Sequence, residues 1–88
     1  MIIVVTYVAA DGAILRRTVD TAGRHDARMW EELVEQAALP FPPAYRPAPG
    51  SAVYHVRAED QAILVAEDEL VGPLRELVTA VLAEGEGQ

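Results

Sequence analysis

Five of the six prolines fall between positions 40 and 49, in the stretch LPFPPAYRPAPG. No regular helix or central strand can run through such a stretch. Each proline lacks an N–H, and the residue before it is pushed out of the α region. A stiff, extended loop is therefore expected from Pro40 to Pro49, ended by Gly50. In so short a chain a loop of this length is either functional or a packed cover. Phe41 and Tyr45 suggest that parts of it dock on the core. On each side of it the chain reads as two strands followed by a helix.

Ile2 to Ala10 is rich in Ile, Val and Tyr, which suit a pleated sheet. Asp11-Gly12 follows, a strong hairpin signal because a type I′ turn needs φ > 0 at both central residues. The second strand runs from about Ala13 to Asp20. A two-residue loop sets Val8 opposite Leu15, Thr6 opposite Arg17 and Val4 opposite Val19. The other face then carries Ile3, Val5, Tyr7, Ile14, Arg16 and Thr18. Both faces are partly apolar, so the one turned from the core is covered by a loop or is a contact surface. Beyond the Gly23 connection, Asp26 can cap the helix DARMWEELVEQAAL. Trp30, Leu33, Val34 and Ala37 form its apolar stripe, widened by Met29 and Ala38. Arg28 and Glu32 form an i, i+4 ion pair.

After the proline segment, Ser51 to Ala58 reads as a third strand, with Tyr54 and Val56 inward and His55 and Arg57 outward. Glu59-Asp60 makes a polar turn. Gln61 to Ala66 is the fourth strand, pairing Val56 with Ile63 and Tyr54 with Val65. Asp68 and Glu69 suit the opening of a helical region. Pro73 is tolerated only in a first turn, so a loose turn is expected near Leu70 and a regular helix from Gly72 to Glu84. Leu74, Leu77, Val78, Val81 and Leu82 form its stripe. Gly85 stops it, and residues 85–88 are expected to be a flexible tail. The order β-β-α-β-β-α over residues 1–84 predicts one α+β domain. Its sheet is expected to be four-stranded and mainly antiparallel, with both helices on one face.

Eighty-eight residues bury only about 60% of their unfolded surface, which leaves little room for an enclosed cofactor pocket. Surface function is favoured, with no cofactor. The formal charge is −7, carried against seven arginines and no lysine. An acidic domain of this kind repels phosphate backbones, which points away from nucleic acid. It is drawn to basic protein surfaces. The absence of cysteine removes disulfides, thiolate metal sites and cysteine nucleophiles together, and fits a reducing, cytoplasmic compartment. No apolar run reaches the length of a signal-peptide core or a membrane span.

Catalytic signatures are missing. His25 and His55 have no metal-ligand spacing, and Ser51, the only serine, has no nucleophile-elbow frame. Glu67-Asp68-Glu69 lacks the spaced oxygens and internal glycine of a calcium loop. The expectation is a protein that binds another protein and is not an enzyme.

Two stretches carry a family resemblance. RRTVDTAGRHDARMWEELVEQA contains the corner Val19-Asp20-Thr21, followed by Trp30 and Leu33. PGSAVYHVRAEDQAILVAEDELVGPLRELVTAVL contains Tyr54, Val56, Leu74 and Leu77. Over most of its length the chain resembles the emfourin family, small inhibitors of protealysin-like metalloproteases, themselves relatives of thermolysin. Where that family typically carries a Gly-Gly-Phe-Ala-Gly-like segment, this chain has Ala9-Ala10-Asp11-Gly12-Ala13. The resemblance implies a cytoplasmic metalloprotease partner, whose cleft the inhibitor occludes and which supplies the zinc. The expected contact residues are Ala10, Asp11 and Gly12 at the first turn, with Tyr45, Arg46 and Pro47 in the proline-stiffened loop. The alternative is a non-inhibitory interaction module of the same fold, a monomer or weak homodimer.

Overall fold

Three residues, not two, close the first hairpin. The structure is a computed structural model and describes residues 1–46 and 52–87, Arg46 by its backbone alone. Strand β1 (Ile2–Val8) pairs with β2 (Ile14–Asp20) so that Ile3 faces Val19, Val5 faces Arg17, Thr6 faces Arg16 and Val8 faces Ile14. The expected pairings Val8–Leu15, Thr6–Arg17 and Val4–Val19 are thus corrected by one residue. The cause lies in the turn. Gly12 has φ +92 while Asp11 does not enter the left-handed region, so the type I′ pattern is not used. One positive-φ glycine closing a three-residue loop is the pattern of a type I turn with a bulge. The shift matters because side chains alternate between faces. It brings Val19 onto the face of Ile3 and Val5, and all three are buried.

The remaining elements are α1 (Ala27–Ala37), β3 (Ala44–Arg46), β4 (Val53–Ala58), β5 (Gln61–Ala66), a 3₁₀ turn at Glu67–Glu69, α2 (Gly72–Glu84) and β6 (Glu86–Gly87). The fold is α+β. Its sheet, however, has six strands in the order β3-β5-β4-β1-β2-β6 and is mixed, where four strands are expected. Both additions come from segments read as irregular. Ala44, Tyr45 and Arg46 are three consecutive residues that keep their N–H groups between Pro43 and Pro47, and they pair parallel to β5. Glu86 and Gly87 pair antiparallel with Thr18 and Arg17 of β2, where a free tail is expected. The described part of the proline segment, residues 40–46, therefore adds a strand to the sheet edge. Phe41 and Tyr45 remain exposed, and the neighbouring Leu39 is the residue that is buried there.

The second hairpin has the expected register, Val56 with Ile63 and Tyr54 with Val65. Its two-residue loop has a positive φ at Glu59 (57°) and none at Asp60, the pattern of a type II′ turn. Both helices pack on the sheet face that presents Ile3, Val5, Val19 and Val56. Trp30 and Val34 come from α1, and Leu77, Val78 and Val81 from α2. Each fully buried side chain of this size contributes about 1.5–3 kcal/mol.

Asp26 does not cap α1 through its side chain. Its carboxylate instead accepts two bonds from Arg24, at 2.8 Å from Nε and 3.1 Å from Nη2. The same guanidinium lies 3.7 Å from Glu84 at the end of α2 and 5.7 Å from the centre of the Trp30 ring. The bonds from Arg24 hold the Asp26 carboxyl down to about 2, aided by the nearby Trp30 indole and opposed by partial burial. The Trp30 Nε1 itself is buried and closes no hydrogen bond. At the Val19-Asp20-Thr21 corner the buried Thr21 hydroxyl donates to the Met1 carbonyl at 3.2 Å, and the Asp20 carboxylate accepts from the Ala22 N–H at 3.0 Å. That corner closes the path from β2 to α1.

Candidate protein-binding site

Strand directions decide which of the sequence-derived contact residues can act together. β4 runs antiparallel to β1, β5 antiparallel to β4, and β3 parallel to β5. The C-terminal ends of β1 and β3 therefore point the same way. The tip Ala10-Asp11-Gly12 follows β1, and Arg46 ends β3, so both lie at one end of the sheet. β4 and β5 stand between them, a lateral separation of about 14 Å at about 4.8 Å per strand. Pro47 lies outside the described residues, as does the Arg46 side chain.

The tip is internally bonded. The Ala9 N–H donates to the Ala13 carbonyl at 2.8 Å, and the Gly12 N–H to the Ala9 carbonyl at 2.9 Å. The Asp11 carboxylate accepts from the Ala13 N–H at 2.9 Å. Ala10, Asp11 and Gly12 are exposed. Behind the tip, on the core face, Tyr7 and Tyr54 are cross-strand partners with ring centres 4.8 Å apart. Tyr45 is 64% exposed, and its ring lies parallel to the His55 imidazole at 6.4 Å.

The second feature is the sheet face opposite the helices. Neither helix packs over it; its β5 side is covered at Ala62 and Ala66, which are buried, and its β1–β2 side is open at Ile2 and Ile14. Reading across paired residues, one row runs Tyr45, Leu64, His55, Thr6, Arg16. The next runs Ala62, Arg57, Val4, Thr18, Glu86. A third, nearest the tip, runs Ala66, Val53, Val8, Ile14, with Ile14 70% exposed. Arg16, Thr18, His55 and Arg57 border a shallow groove of about 290 Å³ whose floor includes Val4. Burial, then the Arg57 and Arg16 guanidiniums, hold the His55 imidazole below its ordinary value. Among the described residues, neither guanidinium forms an ion pair with a carboxylate.

Sequence reasoning places His55 and Arg57 outward on their strand but does not join them to Arg16. The joining depends on β4 lying beside β1 and on the shifted first register. Outward arginines on separate strands were the available signal, and strand order was the missing one. Among the described residues no group of three or more His, Cys, Asp or Glu could hold a metal ion, and no helix is long and apolar enough to cross a membrane. Comparison with protein-family models, curated proteins and solved structures gives no match to this chain.

Proposed function

We propose that this protein inhibits a thermolysin- or protealysin-like metalloprotease by occluding its active-site cleft with the sheet end that carries Ala10-Asp11-Gly12 and β3. The observation that carries the reading is the placement of both candidate segments at one end of one sheet, with the hairpin tip held by three hydrogen bonds. A tip ordered in advance loses less conformational entropy on docking. It is also harder to thread through a protease as an extended substrate. The neighbouring β3 is bordered by prolines, which resist cleavage, and offers the exposed Tyr45 ring as an anchor. The chain acts as a plug, the zinc belongs to the partner, and the cytoplasm is the compartment in which the two would meet.

Titration of a thermolysin-type zinc protease tests the reading. Activity is expected to fall in proportion to added protein and to vanish near equimolarity, with the inhibitor intact on a gel. Full activity at large excess, or steady digestion of the added chain, overturns it.

A second reading is favoured by the open sheet face. It makes the chain a non-inhibitory binding module whose contact surface is that face, where Ile14 and Ile2 are 70% and 53% exposed. Unchanged protease activity together with a partner footprint confined to this face would support it.

A further inference from the structure

The open face holds a charge pattern at odds with the rest of the molecule. The chain carries −7 overall, yet Arg16 and Arg57 stand on either side of Val4 with His55 beside them. Arg24 and Arg28, by contrast, each have a carboxylate partner within 4.0 Å. Arg16 and Arg57 sit on β2 and β4, two strand spacings apart, about 10 Å, with β1 between. Both side chains can lean over the Val4 floor from opposite sides, and the Thr18 hydroxyl lies in the same wall. Guanidiniums grip carboxylates in two-point fashion, which a lysine cannot copy, and this chain has arginine alone.

We propose that this face is a docking site for an acidic segment of a partner protein, with one of its carboxylates seated between Arg16 and Arg57. Three observations select this occupant. First, the cationic patch is local. Asp20 lies on the same face opposite Ile2, and Glu86 ends the row of Arg57, Val4 and Thr18. A nucleic acid, charged uniformly along its length, would be driven over these carboxylates. A peptide with one or two acids would not. Second, the sheet edges are poor templates for strand addition. β3 has three residues between prolines and β6 has two. Recognition is thereby directed to side chains on the face. Third, half-buried Val4, Val8, Val53 and Leu64 and exposed Ile14 surround the groove with apolar surface for the segment's other residues. The inference does not rest on protease inhibition: the groove uses Arg16 and Arg57, and of the proposed inhibitory contacts Tyr45 alone stands on this face, beside His55.

The test uses the full chain, a fluorescently labelled valine- and threonine-rich peptide carrying a single glutamate, and an oligothymidylate and inorganic phosphate as comparators. Peptide binding is read by anisotropy and by amide shifts. The expected result is saturable binding, with shifts confined to this face and centred on Val4, Thr6, Arg16, Thr18, His55 and Arg57. R16Q/R57Q is expected to weaken it by about tenfold or more without changing the thermal midpoint. R28Q, on the helix face, is expected to leave it unchanged. Binding should also fall between about 0.1 M and 1 M salt, as the screening length drops from about 10 Å to about 3 Å. No saturable binding, or equal loss in R28Q, overturns the proposal. Tighter binding of the oligothymidylate, or competition by phosphate as strong as by free peptide, removes the acidic-segment assignment. A dimer abolished by R16Q/R57Q would instead give the face to a second copy of this chain.

Discussion

The two hairpins supply a paired test of the turn geometry. Gly12 and Glu59 both occupy positive φ, at +92 and +57, one with the residue that favours it and one without. For Gly12→Ala, a Cβ built on the backbone meets nothing within 4 Å, so no clash contributes. What remains is the local cost of a left-handed L-residue, about 1–2 kcal/mol. The narrower unfolded ensemble of alanine offsets about 0.4–1 kcal/mol of this. The net loss is about 1 kcal/mol, or about 4–8 °C in thermal midpoint for a domain of this size. Total stability for a chain of this length is about 4–13 kcal/mol, so the variant still folds. Glu59→Gly runs the same terms backwards. Relief of about 1–2 kcal/mol is set against about 0.4–1 kcal/mol of added unfolded-state freedom, giving a stability gain from near zero to about 1.6 kcal/mol. Urea melts of both variants, with protease titration alongside, measure the pair. Gly12→Ala is also expected to weaken inhibition by up to about tenfold, since 1.4 kcal/mol corresponds to tenfold. Glu59 follows β4, at the opposite end of the sheet, so Glu59→Gly is expected to leave inhibition unchanged. A Gly12→Ala that stabilises by about 1 kcal/mol or more, or a Glu59→Gly that costs about 1 kcal/mol or more, would refute the turn assignments. Unaltered inhibition by Gly12→Ala would remove the tip from the contact.

Leu77→Ala removes a fully buried side chain that faces the sheet and is expected to cost about 2–5 kcal/mol, read as a lower urea midpoint. Asp26 has a depressed folded-state value, so its contribution is present above about pH 4 and is lost as pH falls towards about 2. Asp26→Asn should therefore flatten stability against pH in that window, and an unchanged slope would contradict the Arg24–Asp26 pairing. Gly85→Ala places a Cβ 2.6 Å from the Val81 carbonyl, 3.0 Å from Arg17 Cβ and 3.2 Å from the Thr18 nitrogen. Strain of about 1–3 kcal/mol is expected, with faster amide exchange in β6 while the core amides keep their protection.

Much of the local structure is written in the sequence because it depends on near neighbours. The α2 span Gly72–Glu84 follows from Pro73 at its first turn and Gly85 at its end. The second register follows from a two-residue loop, and the buried stripe of α1 from the spacing of Trp30 and Val34. The tip residues Ala10 to Gly12 are legible for the same reason, since a DG pair between strands marks a turn. The first register is not, because an Asp-Gly pair fits two turn types and burial of Val19 beside Ile3 and Val5 chooses between them. Nor does sequence show that Ala44–Arg46 joins the sheet, since three extended residues form a strand only when a neighbouring edge accepts their hydrogen bonds. Gly85 shows the division most clearly. Sequence reads it as a helix stop; its φ is −70, and a Cβ there would lie 2.6 Å from the Val81 carbonyl of its own helix and 3.0 and 3.2 Å from Arg17 and Thr18 of β2, a crowding that only the packed strand reveals in full. The groove of Arg16, His55 and Arg57 belongs to the same class. Arg16 is far in the chain from His55 and Arg57, and the strand order that sets β4 and β2 on either side of β1 brings those side chains to a common surface.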